Sequence, residues 1–160
     1  MTLSTRIAPH LAYLRRYSRA ITGSQTSGDA YVAAMLEALI ADISIFPQAS
    51  SDRIGVFRLF ASIFSRMQVT IDPERSPFAW EQRAAANLAQ VSPLARQAFL
   101  LNALEGFSRA EVAEILDIED DAAGDLLAQA AAEISRQVAT DILIIEDEPL
   151  IAMDIEQMVL

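Results

Sequence analysis

The stretch Ser108-Arg-Ala-Glu111 limits what this chain can fold into more than any other. A serine followed three residues later by a glutamate is a capping box, in which each side chain satisfies a free N–H group at the start of a helix. The run it opens, RAEVAEIL, puts Val112, Ile115 and Leu116 on one face, and the polar turn Asp117 to Asp121 closes it. A longer run follows from about 122 to 138, with Leu126, Leu127, Ala130 and Ile134 as its apolar side. Upstream, Ser76-Pro77 and Ser92-Pro93 each set a cap residue before a proline at the first helical position, where its missing N–H costs nothing. They predict helices near 77–90 and 93–104, and Glu105-Gly106-Phe107 turns the second one into the box. Helix, tight turn, short helix, turn and long helix is the order of a helix-turn-helix.

Such a motif ordinarily places its last helix in the DNA major groove, where Arg, Lys, Asn and Gln read bases and neighbouring cations hold phosphates. From Ser108 to Gln137 the only cations are Arg109 and Arg136, against Glu111, Glu114, Asp117, Glu119, Asp120, Asp121, Asp125 and Glu133. This surface repels a duplex, so no direct DNA binding is expected. The acids of the turn suit the positive end of the helix that follows them. Over all 160 residues the net charge is -10, and every one of the 12 cations is an arginine. Residues 1–80 hold eight arginines against six acids, and residues 81–160 hold four against sixteen. Two regions with different surfaces follow from that split. Between them QVTIDPERSP, from Gln68 to Pro77, has the composition of a linker.

In the first region Ile7, Leu11, Leu14, Tyr17 and Ile21 form one stripe while Arg6, Arg15, Arg16 and Arg19 take other faces, the pattern of a single amphipathic helix. ITGSQTSGD ends it, and Ser27 or Asp29 is placed to cap a helix running through YVAAMLEALIADI and stopping before Pro47. After the Ser50-Ser51 turn a third helix carries Ile54, Phe57, Ala61, Phe64 and Met67 on one face, widened by Leu59, Phe60 and Ile63, which makes it central. The expected architecture is all-α: a helical lobe at 1–67, a linker at 68–76 and a helix-turn-helix lobe at 77–138. Trp80 is expected to pack the first helix after the linker.

Several function classes drop out. The chain has no cysteine and only His10, so there is no disulfide, no thiol nucleophile and no His-based triad. Acids pair at Glu119 to Asp121 and at Glu146 to Glu148, but without a nucleophile, a base and an electrophile in company they read as turns rather than as an enzyme's site. No unbroken apolar run marks a signal peptide or membrane span, so a cytoplasmic protein is expected.

HLAYLRRYSRAITGSQTSGDAYV, a linker and then LAQVSPLARQAFLLNALEGFSRAEVAEILDI resemble, in that order, regions 2 and 4 of an extracytoplasmic-function sigma factor. LRRYSRAITGSQTSGDAYV and the acidic helix-turn-helix are more similar still to the sigma-like domain of the PhyR family, the general stress response regulators of alphaproteobacteria. Residues 139–160 add an independent feature. The β-branched run from Asp141 to Ile145 ends in Glu146-Asp147-Glu148-Pro149 before a helical start, which is similar to the opening strand and helix of a response-regulator receiver, here truncated. The resemblance implies that Glu146 and Asp147 would hold Mg²⁺ in an intact receiver, that a histidine kinase acts on the full-length protein, and that the phosphoacceptor is not in this chain.

What the resemblance further implies is partner switching. A PhyR-type protein mimics a sigma factor, captures the anti-sigma factor NepR and so releases the true sigma factor; it acts as an anti-anti-sigma factor. With the receiver incomplete, this chain is expected to bind constitutively. A DNA-binding sigma factor or helix-turn-helix regulator is the alternative, and it would need the basic last helix that is missing. Amphipathic partner helices are expected in apolar grooves formed by Leu14, Tyr17, Tyr31 and Met35 in the first lobe, with Arg15 and Arg16 at the rim, and by Phe107, Val112, Leu116, Leu126 and Leu127 in the second. The same helical spacing serves core and groove alike. If Leu126 lines a groove, Leu126→Asp should weaken partner binding and leave thermal stability nearly unchanged, which a binding titration beside a thermal melt would show.

Overall fold

The computed structural model describes residues 1–67 and 78–138, and every regular element among them is helical. In chain order these are α1 (Leu3–Ile7), α2 (Leu11–Thr22), α3 (Gln25–Ala41), α4 (Asp52–Arg66), α5 (Ala79–Gln90), α6 (Pro93–Ala103), α7 (Arg109–Leu116) and α8 (Asp120–Val138), with short 3₁₀ turns at Ala8–His10 and Ile43–Ile45. The all-α reading stands. The expected linker at 68–76, the receiver start at 139–160 with Glu146 and Asp147, and the side chain of Trp80 lie outside the described residues.

Two local expectations need correction. The first stripe is not one helix: Pro9, which has no N–H to donate, sits in a 3₁₀ turn between α1 and α2. Ile7, Leu14, Tyr17 and Ile21 are nevertheless all buried, because the one-turn 3₁₀ segment carries the stripe across the break. The second helix begins earlier than the glycines suggested. Its cap is Ser24, whose hydroxyl accepts from the Ser27 N–H at 3.2 Å, so neither Ser27 nor Asp29 caps it.

Gly28 is drawn into α3 by tertiary contact. The Ser18 hydroxyl donates to the Gly28 carbonyl at 2.8 Å, and a Cβ at residue 28 would lie 2.7 Å from the Arg19 nitrogen and 2.8 Å from its Cα. The backbones of α2 and α3 therefore touch, and no flexible side chain is there to give way. Asp29 then accepts from both Arg15 and Arg19, at 2.9 to 3.2 Å, and these hydrogen bonds hold its carboxyl well below the ordinary carboxylate range.

The core runs without interruption through both lobes. Tyr17 and Phe57 lie 5.5 Å apart between ring centroids, and Phe57 meets Phe107 of the second lobe edge-on at 5.0 Å. Phe107 is delivered by the end of α6, where Gly106 is left-handed at φ 73°, its N–H bonds the Asn102 carbonyl at 3.1 Å, and the Phe107 N–H reaches back to the Leu101 carbonyl at 3.1 Å, a left-handed cap. The capping box forms as expected at Ser108 and Glu111. The two lobes share one core cluster along the Phe57–Phe107 line.

Gly28→Ala sets two effects against each other. Alanine favours a helix over glycine by about 1 kcal/mol, while overpacking a rigid contact costs about 1–3 kcal/mol. Because the obstacle is backbone, the clash should win, with a net loss of about 1–2 kcal/mol in urea unfolding; an unchanged midpoint would show that the helices can move apart freely.

Candidate functional site: the seam between the lobes

Charge separation along the sequence becomes charge pairing across the seam. The Glu105 side chain, on the turn after α6, is 0% exposed, and both its oxygens accept from Arg16 of α2 at 3.0 Å. Arg53 of α4 approaches the same carboxylate at 4.0 Å, donates to the Glu105 backbone carbonyl, and lies with its guanidinium carbon 4.1 Å from the centre of the Phe107 ring. Burying a carboxylate is costly unless it is paired and hydrogen-bonded, and here two arginines of the first lobe meet that condition.

Two further contacts extend the clasp. Glu114 of α7 accepts from the Ser50 N–H and hydroxyl, each at 2.7 Å, which lowers its pKa. Arg58 of α4 donates to Asp117 at 2.7 Å, and Asp117 ends α7 in the left-handed region at φ 56°, a conformation that an aspartate tolerates better than most residues. Arg109 pairs with Asp120 inside the helix-turn-helix itself. The acids that denied this lobe a DNA surface are thus partly spent on holding it to its neighbour.

Beside the clasp a cleft of about 470 Å³ opens between the lobes, with Ile45, Arg58 and Arg66 on one wall and Leu94, Gln97 and Leu116 on the other. Leu94 is 43% exposed, and Ile45 is also exposed. Among the described residues Arg66 makes no ion pair. The lining mixes apolar side chains with the cations Arg58 and Arg66, the acid Asp117 and the polar Ser62, Ser65 and Gln97, a surface suited to an amphipathic segment.

The expected groove residues fare unequally. Leu14, Tyr17 and Met35 are buried in the first lobe, and Phe107 and Val112 in the second, so in this arrangement they build the core and seam, whereas Tyr31, though buried, also lines a small apolar pocket with Thr26, Ser27, Ala30 and Met67. Leu116 does line the cleft. Leu127 packs against the main core, and Leu126 touches both that core and the smaller cluster of Val91, Ala95 and Ala130. Leu126→Asp would therefore disturb packing, which corrects the expectation of unchanged stability. Arg16 is at the seam rather than on a free rim, and Arg15 is tied to Asp29. Glu105, Arg53, Arg58, Glu114 and Asp117 were not singled out as site residues from sequence; the opposite charge of the two lobes was the only hint of them.

Residues 7–61 match the family model described as the Sigma2 domain of PhyR, and residues 88–137 match that of the response regulator PhyR, sigma-like domain. The chain belongs to the PhyR family. The first match covers most of α1 to α4, and the second runs from the end of α5 nearly to the end of α8. The Phyllosphere-induced regulator PhyR of Methylorubrum extorquens is 43% identical over 159 residues, 99% of this chain and 59% of that protein. A co-crystal structure of the anti-anti-sigma factor PhyR with the anti-sigma factor NepR from Bartonella quintana superposes with TM-score 0.83 at 57% identity, covering 99% of this chain and 59% of that one. The NMR structure of the PhyRSL–NepR complex from Sphingomonas sp. Fr1 gives TM-score 0.73 at 37% identity, covering 92% of this chain and 97% of that one. The chain thus spans about three-fifths of the length of the curated PhyR relative and of the Bartonella structure.

Glu105→Ala tests the clasp. Hydrogen bonds to charged groups contribute about 1.5–3 kcal/mol, and Arg16 is half exposed and can rehydrate, so the expected loss is about 1–2 kcal/mol. Urea unfolding of Glu105→Ala, Arg16→Ala and the double variant should show losses that do not add; strict additivity would mean that the pair is energetically idle.

Proposed function

We propose that this chain is the sigma-like part of an anti-anti-sigma factor that captures an anti-sigma factor of the NepR kind by presenting a sigma-factor-like pair of lobes. The observation that carries the reading is the composite cleft: it needs both lobes, it exposes Ile45 and Leu94 among polar and charged side chains, and it lies beside a helix-turn-helix in which Glu114 and Asp117 are turned to lobe docking rather than to phosphates. The relatives crystallised or solved with NepR support the choice of partner. A partner helix laid in the cleft would bury Leu94, Ile45 and Leu116 and bring an acid to Arg66.

The role is that of a regulator and not of an enzyme, exercised in the cytoplasm; among the described residues no helix is long and apolar enough to cross a membrane. In a full-length protein, control would pass through a receiver phosphorylated by a histidine kinase, with Mg²⁺ held by Glu146 and Asp147.

Calorimetric titration with the NepR of Bartonella quintana should show saturable binding, while promoter DNA gives no gel shift. Leu94→Asp should weaken NepR binding roughly tenfold or more while stability stays within about 0.5 kcal/mol, since an exposed acid in the first turn of α6 suits the helix dipole. Absence of NepR binding together with a DNA shift would replace this reading with that of a sigma factor.

A further inference from the structure

Five polar or charged residues are buried among the described residues, and four of them have partners. Ser18 donates to the Gly28 carbonyl, Thr22 donates to the Ser18 carbonyl, Ser24 accepts from the Ser27 N–H, and Glu105 accepts from Arg16. Gln97 of α6 is the fifth. It is 6% exposed, and among the described residues its amide makes no hydrogen bond. Neither amide atom is sealed from solvent, unlike the Tyr17 hydroxyl, and the opening that Gln97 lines is the cleft between the lobes.

The position is an odd one for such a group. Leu94, Gln97 and Leu101 recur at i, i+3 and i+7, the spacing of one helix face, with Leu94 at the cleft and Leu101 fully buried. Leucine or methionine at 97 would continue that stripe and strand nothing. Across the cleft stands Ser62 of α4, whose hydroxyl likewise makes no hydrogen bond among the described residues. In the free chain the open cleft lets solvent reach the Gln97 amide. A partner segment laid in the cleft expels that solvent, and unless it offers matching groups the buried amide is left unmade, which counts against binding.

We propose that Gln97 selects the captured segment by pairing its amide with an asparagine or glutamine side chain of the partner. A primary amide sets a donor and an acceptor side by side, and a second amide meets both at once. A carboxylate would meet the NH₂ group but bring negative charge against the carbonyl oxygen, and an apolar side chain would meet neither. Peptide groups within a helical segment are already bonded to one another. The inference rests on the capture reading above and deepens it: the apolar side chains of the cleft hold any amphipathic segment, whereas a buried amide rejects segments that lack its complement. Gln97 is thus a specificity-determining residue of the cleft.

The test uses the whole chain with the NepR of Bartonella quintana as probe. Gln97→Met keeps the side-chain length and the helix propensity, so the free chain should melt at the temperature of the parent or higher. It should bind NepR roughly tenfold more weakly in calorimetric titration, because an amide of the partner is then stranded. Each Asn and Gln of NepR is next replaced in turn by Leu or Met. One replacement should weaken binding to the parent chain roughly tenfold and cost nothing against Gln97→Met, a coupling that a purely structural glutamine would not produce. If Gln97→Met binds NepR as the parent does, the amide is merely hydrated and the inference falls while the capture reading survives. If binding weakens but no replacement in NepR is coupled to residue 97, the inference falls as well. If Gln97→Met melts lower than the parent, Gln97→Glu, which keeps the shape and loses the amide donor, takes its place in the cycle, and lack of coupling there overturns the inference. If the parent chain does not bind NepR at all, the capture reading fails first and takes this contact with it.

Discussion

A carboxylate sealed from water between two lobes has to be met by cations, and Glu105 is met by Arg16 and Arg53. That requirement organises much of what surrounds it. Arg16 projects from α2, whose opposite side is pressed against α3 at Gly28, so the register of the first lobe decides where the cation stands. Arg53 serves twice, reaching the Glu105 backbone while covering the Phe107 ring, and Phe107 in turn fills the space against Phe57. Polar pairing and apolar packing thus enforce the same lobe geometry. A seam held only by Phe57 and Phe107 could slide; one held only by ions would be screened by salt.

The acidic helix-turn-helix acquires a physical reason from this arrangement. A lobe that reads DNA keeps cations on its last helix and cannot afford acids around the turn. Here Glu105, Glu114 and Asp117 engage Arg16, Ser50 and Arg58, and Arg109 is paired with Asp120. A sigma-like shape is retained while acids of its helix-turn-helix hold the second lobe to the first. The proposed capture requires that the two lobes be held at a definite separation, because a partner gripping both would read their spacing as well as their surfaces.

Much of the fold was legible along the sequence because helix boundaries are local. The Ser108–Glu111 box, the Ser51 turn before α4 and the proline starts of the second lobe all depend on residues within one turn of each other. The errors have tertiary causes. Gly28 reads locally as a break, yet it lies inside α3 because only a residue without a Cβ lets α2 come so near. Pro9 was absorbed into a continuous stripe because one 3₁₀ turn carries the apolar face past it. Groove and core could not be separated at Tyr17 or Phe107, since the same spacing serves either, and only the meeting of the lobes decides. Arg16 and Glu105 stand 89 residues apart, so their pairing has no local signature at all.

Gly106 shows how narrow the control of such a seam is. A Cβ placed there would meet nothing within 4 Å, so size is not what calls for glycine; the backbone turns left-handed at φ 73°. What glycine supplies at this position is conformational freedom and not space. An L-residue would press the turn toward right-handed geometry and swing its two neighbours, the buried carboxylate on one side and the aromatic wedge on the other, out of their seats together. The joint between the lobes is thus set by the handedness of one peptide unit that itself touches neither lobe's partner.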